Sequence, residues 1–317
     1  MRPIGGELEL KKPYGSMYFT DSGRSSLKLF IRSGNSEKKI LLPDFFCGVI
    51  EDVLLGENVE YDFYHVSNDL TIDKDTVQGK EYDVFYVINY FGIVHDLSLL
   101  ELDDKIIIED NVFLNDFDNS KNYNNWFGFN SFRKISSLSD GSMIRTNLSV
   151  KESLIECHDA SFVTEKQSAK NAKYEYIENN TGSEEGYLSL FDGAESKLND
   201  QTQIFKMSNA SLFNMSKLNS DSNQKIAKQR YEFMCSEFNN FCTDKIPDYY
   251  SFFPMRVKNR NNLKSNLSDA GIYLPVHWPY STMPNSLYED IISVPLFAEY
   301  SDKDFLYLFS NLKKAVG

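Results

Sequence analysis

Lys105-Ile106-Ile107-Ile108-Glu109-Asp110 is the stretch on which the fold turns. Three successive isoleucines leave no polar face. The segment therefore reads as a strand covered on both sides, as in a parallel sheet, rather than a half-exposed hairpin strand. It ends in two acids, which puts a carboxylate at the strand's C-terminal edge. Residues 59–66 and 84–90 upstream have the same aromatic and β-branched character, as do 127–132 and 142–144 downstream. Residues 39–43 form a shorter apolar strand. Helix signals fall among them. Ser22-Gly23-Arg24-Ser25-Ser26-Leu27 opens a helix that Ser33-Gly34-Asn35 stops, and residues 45–55 form another, stopped by Gly56. This alternation predicts an α/β fold: a mainly parallel sheet with helices on both faces.

Residues 150–223 are polar, weakly periodic and rich in Asn, Ser, Lys and Glu. They are expected to be helical and partly loop-like, completing a large domain over 1–223. A small α+β domain is expected over 224–317. Its first helix spans 224–241, with Ile226, Phe233, Met234, Phe238 and Phe241 on an apolar face. Strands over 252–257 and 271–276 flank a helix over 261–267. Ser301-Asp302-Lys303-Asp304 caps a closing helix, its acids at the positive end of the helix dipole.

The chain has 317 residues, with 24 Phe and 19 Tyr to fill cores and interfaces. Its net charge of -13 argues against a nucleic-acid partner, which would call for a basic face. Cys47, Cys157, Cys235 and Cys242 form no C-x-x-C pair, and the four histidines are too scattered to bind a metal. Residues 1–7 carry no signal-peptide core, and no apolar run is long enough to span a bilayer. The expectation is a reduced cytoplasmic protein with free thiols. Phosphate-loop, dinucleotide, zinc-protease and nucleophile-elbow motifs are all missing.

Chemistry concentrates at a few points. In open α/β sheets, ligands gather beyond the carboxyl ends of the strands, where Asp110 and Asn89-Tyr90-Phe91-Gly92 fall. The helix start at Ser22-Gly23-Arg24-Ser25 offers free N–H groups and a hydroxyl to a phosphate. Trp126-Phe127-Gly128-Phe129-Asn130-Ser131-Phe132-Arg133-Lys134 delivers a lysine just past an aromatic strand. A lysine amine and a strand-end carboxylate are the groups a pyridoxal phosphate enzyme needs, one to bind the aldehyde and one to pair with the pyridine nitrogen. Each also has a plain reading. Lys134 alone is a surface lysine, Asp110 a turn acid, and Arg24 and Arg133 ion-pair partners. His277 fits equally a substrate contact or a hydrogen-bonded core histidine.

Taken in order, these pieces resemble the DegT/DnrJ/EryC1/StrS family of pyridoxal-phosphate sugar aminotransferases. The match runs through Ile4-Gly5-Gly6-Glu7-Leu8-Glu9-Leu10, Ser22-Gly23-Arg24-Ser25, Leu41-Leu42-Pro43-Asp44-Phe45-Phe46-Cys47, Asn89-Tyr90-Phe91-Gly92, Ile108-Glu109-Asp110, Ser131-Phe132-Arg133-Lys134 and Asp140-Gly141-Ser142. Weaker echoes follow at His277-Trp278-Pro279 and Val294-Pro295-Leu296. The resemblance implies the fold type I architecture and pyridoxal 5'-phosphate as cofactor. It implies that Lys134 binds the cofactor covalently and that Asp110 keeps its ring nitrogen protonated. Gly23, Arg24, Ser25 and Ser131 would hold the phosphate, and Phe46 would lie against the ring. His277, Asn89, Tyr90 and Arg133 are the candidate substrate contacts. The implied activity is amino transfer from an amino acid, glutamate by analogy, to a nucleotide-linked keto sugar. The implied pathway is surface polysaccharide or deoxyaminosugar synthesis, and the implied assembly a homodimer.

The chain departs from the family pattern at three points. Phe113 stands three residues after Asp110, where the family has His or Gln near the cofactor's phenolic oxygen. Lys134 follows Ser131 by only three residues, and the chain is short. These departures keep two alternatives in view: a homologue that has become a binding or assembly protein, and an aminotransferase for a non-sugar substrate.

Overall fold

The computed structural model describes residues 16–216, 220–239, 245–279 and 283–316. In chain order the first half comprises β1 (Ser16–Thr20), α1 (Gly23–Phe30), β2 (Ile40–Pro43), α2 (Gly48–Gly56), β3 (Tyr61–Tyr64), β4 (Val84–Ile88), β5 (Ile106–Asp110), β6 (Asn125–Phe129), the single turn α3 (Phe132–Ile135) and β7 (Ser142–Thr146). The second half comprises β8 (Ile155–Glu156), α4 (Ser161–Asn179), α5 (Glu184–Asn199), β9 (Ile204–Phe205), α6 (Asn209–Met215), α7 (Ser220–Glu237), β10 (Phe252–Arg256), α8 (Arg260–Ser268), α9 (Leu287–Asp290), β11 (Ile291–Pro295) and α10 (Asp302–Val316).

The first seven strands form one sheet in the order β1-β7-β6-β5-β4-β2-β3. β3, β2, β4, β5 and β6 run parallel, while β7 pairs antiparallel with both β6 and β1. β2, β4 and β5 are buried at every position, as their unbroken apolar runs require. The main core lies on this sheet. A second core joins Met234 of α7 to Phe253, Met255, Ile292 and Val294 of the β10–β11 pair and to Leu312 of α10. Phe252, Trp278, Leu287, Tyr288 and Ile291 belong to the main core, so the C-terminal part packs directly onto the sheet.

Several expected elements move. α2 begins at Gly48, not at 45, because Phe45 and Phe46 turn inward under Tyr288. The Tyr288 hydroxyl accepts from Phe46 N at 2.8 Å and lies 3.1 Å from the Asp44 and Phe46 carbonyls. The strand expected over 127–132 ends at Phe129, and Lys134 sits on the turn α3. Residues 271–276 are not a strand: Pro275 has no N–H to add to a ladder, and Gly271 has φ +71°. The partner of β10 is β11 instead, and Ser293 N donates to the Pro275 carbonyl at 3.1 Å. Ile226 is 37% exposed and does not share the apolar face of α7. Residues 4–10, Phe241 and Cys242 lie outside the described residues; Cys47 and Cys157 are free thiols. Among the described residues, no helix is long and apolar enough to cross a membrane, and no group of His, Cys, Asp and Glu is placed to hold a metal ion.

Candidate active site

The parallel strands β4, β5 and β6 end side by side, with Ile88 opposite Asp110 and Asp110 opposite Phe129. Beyond their carboxyl ends lies a cavity of about 350 Å³. Three of the segments that line it carry the chemistry. β5 delivers Asp110 and then Val112. β6 delivers Phe129, after which Ser131, Arg133 and Lys134 follow on the turn into α3. β1 leads into α1, whose start brings Ser22, Gly23 and Arg24 to the same space.

Asp110 is buried, with both carboxylate oxygens engaged. Tyr86 of β4 donates its hydroxyl to Oδ2 at 2.9 Å, and Val112 N donates to Oδ1 at 3.1 Å. Burial lifts the Asp110 carboxyl to about 6, although the Tyr86 hydroxyl, the Lys134 charge and the Val112 N–H all pull it down. Lys134 is pushed below the usual lysine range by burial. Arg133 pushes the same way, while Cys47 and Asp110 oppose. The amine and the carboxylate therefore share one cavity and act on each other electrostatically.

At the helix end, Ser22 caps α1, its Oγ accepting from Ser25 N at 3.3 Å. That bond uses the Ser25 N–H. The N–H groups of Gly23 and Arg24 have no acceptor within the helix and remain for an anion. A Cβ on Gly23 would lie 3.3 Å from the Phe129 ring and 3.6 Å from the Asn130 carbonyl, so the backbone approach here suits glycine. Ser131 is buried beside it on the cavity wall.

The opposite side is closed by Val276, His277 and Trp278. His277 Nδ1 lies 2.7 Å from Ser293 Oγ, and the ring packs edge-on against Phe113 and Phe252 at 4.9 and 4.6 Å between centroids. Burial drives its pKa well down, and Lys134 adds to this, so the imidazole is neutral. Phe113 stacks on Phe91 and meets Trp278 edge-on, which makes it part of an aromatic floor.

Lys134, Asp110, Gly23, Arg24, Ser131, Arg133 and His277 thus meet at one cavity. Four expected residues do not line it. Ser25 is buried behind the cap, its hydroxyl beside Ser22 and Gln201. Phe46 turns away to stack on Phe63 at 5.6 Å, and the neighbouring Cys47 reaches the cavity instead. Asn89 is tied to Asn111 and to His95 N, and lines a different hollow. Tyr90 is buried between Phe45 and Trp278, with its hydroxyl on the Phe45 carbonyl. Tyr86, Lys166 and Glu195 were not anticipated. Tyr86 carried a weak signal, as the one polar tip in an otherwise aliphatic and aromatic strand. Lys166 and Glu195 carried none, because only the packing of the α4–α5 hairpin on the turn α3 brings them to the cavity.

No family model matches the chain, and no curated protein matches it. Solved structures do. Spr1654 from Streptococcus pneumoniae, solved in apo, PMP and PLP forms, is 14% identical in its apo form over 95% of this chain and 86% of its own, with a TM-score of 0.65. DesV from S. venezuelae, in complex with a ketimine intermediate, is 14% identical over 94% of this chain and 84% of its own, with a TM-score of 0.62. A DegT DnrJ EryC1 StrS aminotransferase from Brucella abortus is 15% identical over 95% and 86%, with a TM-score of 0.60. The likeness establishes the fold: this chain has the α/β architecture of these aminotransferases over nearly its whole length.

Proposed function

We propose that the cavity holds pyridoxal 5'-phosphate and that the protein transfers an amino group from an amino acid, glutamate in our reading, to a keto sugar carried on a nucleotide. The observation that carries this is the meeting of Lys134, Asp110 and the α1 start on one cavity wall. When bound, the cofactor supplies an electron sink for carbanion chemistry. Lys134 is the covalent anchor, and its released amine moves a proton at the donor's α-carbon. Burial lowers the cost of deprotonating that amine, which suits it to act as a base. Asp110 holds the proton on the pyridine nitrogen, with Tyr86 and Val112 fixing the carboxylate. The Gly23 and Arg24 N–H groups and the Ser131 hydroxyl hold the phosphate. His277 brings a neutral imidazole to the side where Phe113 has no polar atom. Trp278 and Phe129 add apolar surface to the cavity lining.

In this reading residues 1–223 form the cofactor-binding part and residues 224–317 the smaller part that closes the cavity through His277 and Trp278. We place the enzyme in the cytoplasm, in surface polysaccharide or deoxyaminosugar synthesis, and as a homodimer. The test is a half-reaction. Protein loaded with the cofactor is mixed with glutamate, then with nucleotide keto sugars, and the cofactor's absorbance is followed. Loss of the aldehyde band with glutamate and its return with a keto sugar is the expected result. Return only with plain keto acids would move the substrate out of the sugar class. A colourless protein that takes up no cofactor would leave a binding or assembly role.

A further inference from the structure

The cavity wall holds an anion of the protein's own. Glu195 of α5 presents Oε1 to Arg133 Nη1 at 3.0 Å, and the same oxygen pairs with Lys166 Nζ of α4. Burial pushes the Glu195 carboxyl up, but Arg133 and Lys166 outweigh it and hold it at about 2. The two partners belong to different parts of the molecule. Lys166 lies on the α4–α5 hairpin with Glu195, whereas Arg133 lies on the turn next to Lys134. Arg133 is underused in this arrangement. Glu195 meets it at Nη1, while its Nε is buried without a hydrogen-bond partner. The guanidinium is steadied over the Phe162 ring, 5.7 Å away. Among the described residues, Arg24, Arg133, Lys134 and Lys166 line the cavity against only Asp110 and Glu195, in a chain of net charge -13.

We propose that Arg133 is the receptor for a carboxylate of the amino-acid donor, and that Glu195 is its internal substitute, displaced from Arg133 when the donor enters. Displacement leaves no charge stranded, because Glu195 keeps its pair with Lys166 on the same hairpin. The incoming carboxylate can take Nη1 together with Nη2, the end-on two-point fork that a single Glu195 oxygen does not fill. The hairpin need not swing away. Arg24 to Asn199, Ser139 to Gln167, and Lys170 to the Ser137 and Leu138 carbonyls hold it in place. The identity of the donor rests on the transamination reading above; the exchange of carboxylates on Arg133 does not.

The experiment is a calorimetric titration with glutarate, a dicarboxylate that has no amine to react. It is run on the wild type, Glu195→Gln, Glu195→Asp and Arg133→Gln, with inorganic phosphate titrated in parallel. Glu195→Gln is expected to bind glutarate about tenfold more tightly, since the internal competitor loses its charge. Glu195→Asp, too short to span both cations, is expected to tighten binding by a smaller factor. It keeps the prediction testable if the glutamine variant folds poorly. Arg133→Gln is expected to weaken binding at least tenfold. Phosphate affinity is expected to change less than glutarate affinity in all three. Unchanged or weaker glutarate binding in both Glu195 variants, or unchanged binding in Arg133→Gln, would overturn the proposal. So would phosphate responding as strongly as glutarate, which would make Arg133 part of a phosphate cradle. Bound-cofactor absorbance is recorded on every sample. Its absence would count against the transamination reading, while the affinities still decide the exchange.

Discussion

Asp110 sits in the cavity wall with Tyr86 and Val112 on its two oxygens, and burial lifts its carboxyl to about 6. An acid raised from 3.8 costs the fold nothing where it is protonated in both states. The cost grows as pH rises from 3.8 to about 6 and is complete above that. Asparagine would keep the Val112 bond through its carbonyl and donate to the Tyr86 oxygen. Without cofactor, Asp110→Asn is therefore expected to be more stable than the wild type by under ~1 kcal/mol near pH 4 and by about 3 kcal/mol near pH 8. Urea unfolding across that range checks it. With cofactor bound, the carboxylate has a protonated partner, so the advantage should vanish, and transamination should fall by about 100-fold or more. The location of Asp110 was legible in the sequence because an apolar strand ends in it, and that of Lys134 because it follows an aromatic strand by a few residues. Phe46 was misassigned because both rings of the Phe45–Phe46 pair pack into the core, and the residue that reaches the cavity is Cys47, which is not aromatic. Lys166 and Glu195 were invisible because their meaning comes from a tertiary meeting that no local pattern encodes.

The α1 start, the buried strands and the parallel sheet follow from local patterns. Ser22 caps as its position predicts, and the Val84–Ile88 and Ile106–Asp110 runs are fully buried. Elements whose strand character depends on a neighbour were harder to read. β1 is short and mixed, and it is a strand because β7 pairs with it. β11 was noticed only as an echo, while residues 271–276 looked more like a strand. The turn after β4 shows how tightly the C-terminal part is keyed to the sheet. Gly92 has φ +81°, and a Cβ there would fall 2.1 Å from the Tyr249 carbonyl oxygen. Asp248 N donates to the Gly92 carbonyl at 2.8 Å. Gly92→Ala combines a left-handed backbone with a backbone clash. It is expected to destabilise the protein by about 3 kcal/mol in equilibrium unfolding. A change within about 0.5 kcal/mol would mean that this junction yields more easily than described.

Across the whole molecule, the sheet gathers residues from both ends of the chain around one cavity, and the charge there opposes the overall acidity. The arrangement of Ser22, Asp110 and Lys134 follows from strand order, which sequence periodicity implies only in outline, and His277 is held by Ser293 of β11 in the C-terminal part. The proposed homodimer belongs to this scale. Sedimentation equilibrium is expected to give twice the 36.6 kDa chain mass, and a monomer at micromolar concentration would remove the dimer from the reading. The most direct test of the account is covalent. The protein is incubated with pyridoxal 5'-phosphate, reduced with borohydride, digested and mapped by mass spectrometry. The account predicts one dominant phosphopyridoxyl modification, on Lys134, lost in Lys134→Ala and weakened in Asp110→Asn. Labelling spread over exposed lysines, with Lys134 unmodified, would contradict it.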